Sequence, residues 1–195
     1  MKSFGVTLAF AAALLMAPVL AQDAPAPQPA KAPQPTENKE IGDWTVRCFA
    51  VNSPTPCEML ELQVAKKGGQ RILGVLIAYA PATDAHVMQI SVPLGVALAN
   101  GLVVNADTFK SGALKFHRCD QGGCYVEIPV GSDVIGSIAK ATSGKVQIVS
   151  VDGKRYDLPF SLKGFNEAHN TMVALAKQKV GKGGSPAAPA PAAQP

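Results

Sequence analysis

The chain has 195 residues, 47% of them apolar and 16% charged, and a formal net charge of +4. That balance excludes a chain disordered throughout and a membrane bundle, and it suits one domain. So mild a charge, with only 6% aromatics, gives no basic base-stacking surface, and no nucleic-acid partner is expected.

The N-terminus reads as a leader. Lys2 supplies the positive start, Phe4 to Ala17 the apolar stretch, and Val19-Leu20-Ala21 a small-residue cleavage site before Gln22. Pro18 interrupts an apolar run already short of the roughly 20 residues a retained membrane helix needs. A signal peptide over 1–21 and an exported chain with no integral membrane span are therefore expected, in the periplasm or beyond it. The tracts 22–38 and 181–195 are rich in Pro and Ala, which favour extended polyproline II and build no core, so both read as disordered tails. One folded unit, 39–180, remains between them.

Within that unit the dominant period is two. Trp44, Val46 and Cys48 share a face, as do Leu60, Leu62 and Val64, then Met88, Ile90 and Val92, then Tyr156, Leu158, Phe160 and Leu162. Half-buried strands of this kind suit an antiparallel sheet. Ile72 to Tyr79 is apolar apart from Gly74 and reads as a central strand covered on both faces, and Val146 to Val151 reads similarly. Gly68-Gly69, Asn100-Gly101 and Asp152-Gly153 mark turns. Between Phe116 and Val130, two alternating segments meet at a glycine-bearing loop flanked by Cys119 and Cys124, which reads as a strand corner with Val126, Ile128 and Val130 inward. A mainly β fold follows, an antiparallel two-sheet sandwich. Two helices accompany it. Ser132 is placed to cap a short one near 132–141, with Val134, Ile135, Ile138 and Ala139 inward. A second near 165–180 carries Phe165, Ala168, Met172, Leu175 and Ala176 on one stripe, with Lys177 and Lys179 in its last turn and Gly181 to stop it.

Four cysteines behind an export signal read as two disulfides. Three connectivities exist; Cys48 with Cys57 and Cys119 with Cys124 close most easily, because turn formers fill both gaps. A zinc site is the rival reading, with Cys119-x4-Cys124 and His117 at the edge of the usual spacing. No metal and no cofactor are expected.

Little else suggests chemistry. His86, His117 and His169 are far apart in sequence, make no metal-binding spacing, and read as surface or supporting residues. No nucleophile elbow or phosphate loop is present, and no cysteine is left over for Cys–His catalysis. Carboxylate pairs assemble in space and cannot be read this way, although Glu58 and Glu61 fall on opposite sides of one strand. Asp43, Asp107, Asp120 and Asp157 sit at turns or strand ends.

Four motifs in order carry a family resemblance. They are Gly42-Asp43-Trp44-Thr45-Val46-Arg47-Cys48, Pro93-Leu94-Gly95-Val96 with Leu98 and Gly101-Leu102, Cys119-x-x-Gly-Gly-Cys124, and Ser161-Leu162-Lys163-Gly164-Phe165 with Ala168. Together the chain resembles the invasion-associated locus B family over essentially the whole folded unit. The resemblance implies an exported proteobacterial envelope protein, a compact β domain with two internal disulfides and, in the namesake branch, a part in host-cell invasion; it brings no catalytic residues. The motif residues Trp44, Pro93, Gly95, Gly164 and Phe165 read as determinants of fold. Binding to an envelope or host-surface component is expected on the loops left free, Ala80 to His86 or Asn105 to Gly112. Two functions stay open: a non-enzymatic interaction protein, and a periplasmic hydrolase or small-ligand-binding domain with a site built from loop carboxylates.

Overall fold

A computed structural model describes residues 33–50, 53–107 and 109–182. The expected leader, most of the first Pro/Ala tract and nearly all of the second lie outside these residues.

Among the described residues, eleven strands form two antiparallel sheets and two α-helices pack with them. In chain order they are β1 (Pro35–Ile41), β2 (Trp44–Phe49), β3 (Cys57–Val64), β4 (Arg71–Ala80), β5 (Ala85–Val92), β6 (Leu102–Ala106), β7 (Phe109–Lys110), β8 (Arg118–Asp120), β9 (Gly123–Val130), α1 (Ser132–Lys140), β10 (Gly144–Val149), β11 (Arg155–Phe160) and α2 (Phe165–Lys182). The large sheet runs β1-β2-β3-β4-β5-β9-β8 and the small one β11-β10-β6-β7. Side chains of the central strands Val75, Ile77, Met88 and Ile90 meet Val104, Val146 and Phe160 of the small sheet, and Ile138 of α1 closes the contact. That seam encloses no space for a water molecule. α2 packs beside the small sheet, along β1 to β4, so it fills part of the second layer instead of decorating a finished sandwich.

Register explains which residues are inside. Cys48 opposes Cys57, which opposes Tyr79, which opposes His86, which opposes Val130. The next inner row runs Val46, Met59, Ile77, Met88 and Ile128. Both disulfides form as expected, Cys48–Cys57 and Cys119–Cys124, each joining directly opposed residues of neighbouring strands.

Several expectations need correction. In β3 the buried face is Cys57, Met59 and Glu61, while Leu62 and Val64 point to solvent. Both faces of that strand carry apolar residues, and a one-residue change of phase moves every side chain to the other face. β10 alternates cleanly and is covered on one face only, with Val151 beyond it fully outside. In β11 only Phe160 is buried; Tyr156 is exposed because the strand is an edge. The helix at 132–140 is capped from Gly131, with no side-chain cap, so Ser132 is its first residue and not its cap. α2 runs past Gly181 to Lys182. β1 begins at Pro35, inside the tract expected to be tail. It is an edge strand with almost no buried side chain, held by its backbone ladder to β2, by the Thr36 hydroxyl donating to the Cys48 carbonyl, and by Lys179 beside Glu37 at 3.3 Å. A strand that buries nothing leaves no hydrophobic period to read, and a proline is tolerated at its free start.

Candidate functional site

Leaving β4 at Ala80, the chain turns through residues 81–84 and re-enters as β5, pairing Tyr79 with His86 and Ala80 with Ala85. This is the expected loop Ala80 to His86, and its outer residues are exposed. Its stem is not. His86 is in phase with Met88, Ile90 and Val92 and therefore faces inward, with 6% of its surface exposed. On α2, His169 follows Phe165 by four residues, one turn further on the same stripe, and the two rings lie parallel with centroids 6.4 Å apart. Packing α2 over the sheet therefore sets His169 on His86, Nε2 to Nε2 at 2.9 Å.

The tautomers follow from burial. His86 Nδ1 is enclosed and has no hydrogen-bond partner. An orphaned N–H is the rarer and costlier defect, so His86 carries its proton on Nε2 and donates it to His169 Nε2. His169 then holds its own proton on Nδ1. Burial pulls both imidazoles below the usual histidine value. For His86 the neighbouring His169 adds to the effect and Asp84 opposes it. The pair is thus a neutral imidazole couple that shares one hydrogen bond, and burial disfavours a further proton on it.

The turn above it is fixed by short-range bonds. The Tyr79 hydroxyl donates to Asp84 Oδ1 at 2.6 Å, and Asp84 takes a left-handed φ of 50°. Burial, and then the hydrogen bond to Asp84, push the Tyr79 phenol up to about 12, while the same bond lowers the Asp84 carboxyl. The Lys177 amine of α2 lies 5.7 Å from the Tyr79 ring centroid. An exposed turn is thereby anchored to both the sheet and the helix.

The other expected loop, Asn105 to Gly112, is mostly the β6–β7 hairpin. Ser111 closes it by accepting from the Val104 amide, and Asp107, at φ 45°, accepts from Thr142 and Ser143 just beyond α1. Those donors, the Thr142 amide first, hold the Asp107 carboxyl down to about 2. Each loop is tied to a different helix region, the first to α2 and the second to the residues after α1.

Two carboxylates meet at one residue, Asp43 and Glu61 both accepting from Ser161, with the Asp43 charge adding to the rise of the Glu61 carboxyl. The other carboxylates named in the sequence analysis have separate local partners. Asp43 accepts from the Ser161 hydroxyl at 2.6 Å, Asp120 from the Gly122 amide at 2.7 Å beside Arg118, and Asp157 from Lys145 and Gln147. Glu58 is paired with Arg47 on the outer face. Glu61 lies inward at 2% exposure, accepting from Gln63 and more distantly from the Ser161 amide, with its second oxygen unpaired. Burial raises its carboxyl. Among the described residues no group of three or more His, Cys, Asp or Glu gathers as a metal site, and His117 stands exposed on the irregular segment leading into β8.

The motif residues are architectural. Trp44 donates through Nε1 to the Ser161 carbonyl at 2.9 Å and meets Phe165 edge-on, with centroids 5.2 Å apart. Gly42 and Gly164, at φ 62° and 83°, bring the β1–β2 turn and the start of α2 so close that a Cβ on either would strike the other's backbone. Pro93 leads out of β5 and Gly95, at φ 90°, turns the chain toward the small sheet.

Comparison with known proteins agrees with this architecture. The profile of the Invasion associated locus B (IalB) protein family matches residues 44–173. An invasion protein B homolog of Brucella abortus (strain 2308) is 26% identical over 136 residues, covering 69% of this chain and 78% of its own length, and a counterpart from B. abortus biovar 1 (strain 9-941) matches equally. The crystal structure of invasion associated protein b from Bartonella henselae superposes with a TM-score of 0.64 at 18% identity, covering 73% of this chain and 99% of that one, which shows a common fold.

Proposed function

Since this chain belongs to the invasion associated locus B family, we propose that it is an exported cell-envelope protein that works by binding a partner through exposed turns and catalyses no reaction. Two disulfides and the family point to export. The periplasm is the compartment that the leader and the buried cross-strand bridge favour, with passage to the outer surface as a further step.

The reading rests on how the family's recognisable positions are used. Trp44, Phe165, Gly42, Gly164 and the four cysteines join the β1–β2 turn to α2 and pin neighbouring strands. A signature spent on packing leaves function to the surface. The turn at residues 81–84 suits that role, being exposed yet held by Tyr79, Asp84 and the histidine pair. Rigid display lowers the entropic cost of binding. The relatives carry invasion in their names, and a part in host-cell contact is the corresponding proposal here.

A pull-down from native envelope and from host-cell membranes, using the chain from Gln22, tests this. Recovery of one saturable partner, lost with Thr83→Arg at unchanged thermal stability, is expected. Capture that is indifferent to every exposed-turn substitution would sink the reading.

A further inference from the structure

Turn tips ordinarily carry Asn, Asp, Gly or Ser, but one end of this protein places aliphatic side chains there. After β5, the chain runs alongside the end of β10: Val151 donates its amide to the Gly95 carbonyl at 2.9 Å, Val96 bridges Ser150, and the Ala97 amide donates to the Val149 carbonyl at 2.8 Å. Leu94 and Leu98 flank this short ladder on one strand and Val151 ends it on the other. Their exposures are 58%, 52% and 76%. Scattered exposed aliphatics are ordinary, whereas three on adjoining turns form a patch.

Cations lie in the adjoining segments. Lys154 ends the β10–β11 turn and Arg155 opens β11, and Lys115 stands next to Leu114, which pairs with Leu102 just beyond the Leu98–Asn100 turn. Asp152, bound to Lys154 at 2.9 Å, is the one acid in the β10–β11 turn. Arg155 and Lys115 join none of the ion pairs among the described residues.

We infer that this end, Leu94, Leu98 and Val151 with Lys115, Lys154 and Arg155 in the adjoining segments, docks on the surface of an anionic lipid bilayer. Aliphatic tips enter the headgroup boundary while neighbouring ammonium and guanidinium groups meet lipid phosphates. A second copy fits less well. Three side chains fall far short of the roughly 800 Å² per partner of a stable interface. The inference goes beyond the partner-binding reading and does not depend on it, since vesicles contain no protein.

The test is co-sedimentation of the chain from Gln22, which keeps every described strand and helix, with vesicles of phosphatidylcholine alone and of phosphatidylcholine mixed with phosphatidylglycerol. Binding to the mixed vesicles only, weakened by salt, is expected. Leu94→Ser/Leu98→Ser/Val151→Ser and, separately, Lys115→Gln/Lys154→Gln/Arg155→Gln should each reduce it at least about tenfold. Absence of binding, or binding unchanged in either triple variant, overturns the inference. So does a dimer in sedimentation equilibrium that the serine variant dissolves, which would make this end an interface between copies.

Discussion

Acidification should loosen α2 through the histidine pair. His86 and His169 are neutral in the fold and their folded values lie below the ordinary one near 6.5. The unfolded chain therefore binds more protons, so stability is fully present above that ordinary value and is lost as pH falls toward the folded values. Each histidine can contribute at most about 1.4 kcal/mol per pH unit in that window, and the pair about 2.7. Charging His86 would put a proton on the enclosed Nδ1, and charging His169 would need Nε2, which already accepts from His86. His86→Phe keeps a ring against Tyr79, 5.0 Å away between centroids, costs about 1 kcal/mol for the lost hydrogen bond, and should halve the slope. Adding His169→Phe should remove it. Urea unfolding between about pH 7.5 and about pH 5 reads this directly as the difference in slope between the variants and the unaltered chain. Parallel pH profiles for the unaltered chain and the double variant would refute the reasoning.

Three further outcomes are expected. Gly164→Ala should cost at least about 2 kcal/mol in denaturant unfolding, because a left-handed backbone and a clash with the β1–β2 turn add together, whereas Gly69→Ala, at φ 62° with open space around it, should cost about 1 kcal/mol. Replacing Cys48 and Cys57 together by Ala should cost roughly 2–3 kcal/mol, judged by thermal unfolding. Because burial raises the Glu61 carboxyl, its cost is absent below the ordinary value of 4.5 and grows as pH rises through the folded one. Glu61→Gln should thus gain stability relative to the unaltered chain as pH rises, and a pH-independent difference would contradict this.

Most of the large sheet was legible because β2 and β5 bury residues with a clear period, β4 is apolar nearly throughout, and the cysteine gaps fix local pairing. The phase of β3 was not, since Leu60, Leu62 and Val64 are as apolar as the buried set. Placing Cys57 opposite Cys48 would have decided it, for both must share the face of Trp44 and Val46. β1 was invisible because its pairing is carried by backbone. The histidine pair left a usable signal: His86 is in phase with Met88 and Ile90, and His169 lies one turn from Phe165 on the buried stripe. Polarity hid both, and only the packing of α2 across the sheet joins residues 83 positions apart.

The central claim, that this family member acts through its surface, is tested most directly by the phenotype of the native cell carrying either Thr83→Arg or Glu61→Gln in a protein shown to be folded. The account predicts that the surface change impairs host-cell contact or envelope function at unchanged thermal stability, and that the buried carboxylate change does not. Loss with Glu61→Gln, with Thr83→Arg and every other exposed-turn variant fully active, would contradict it and place the chemistry at the carboxylate.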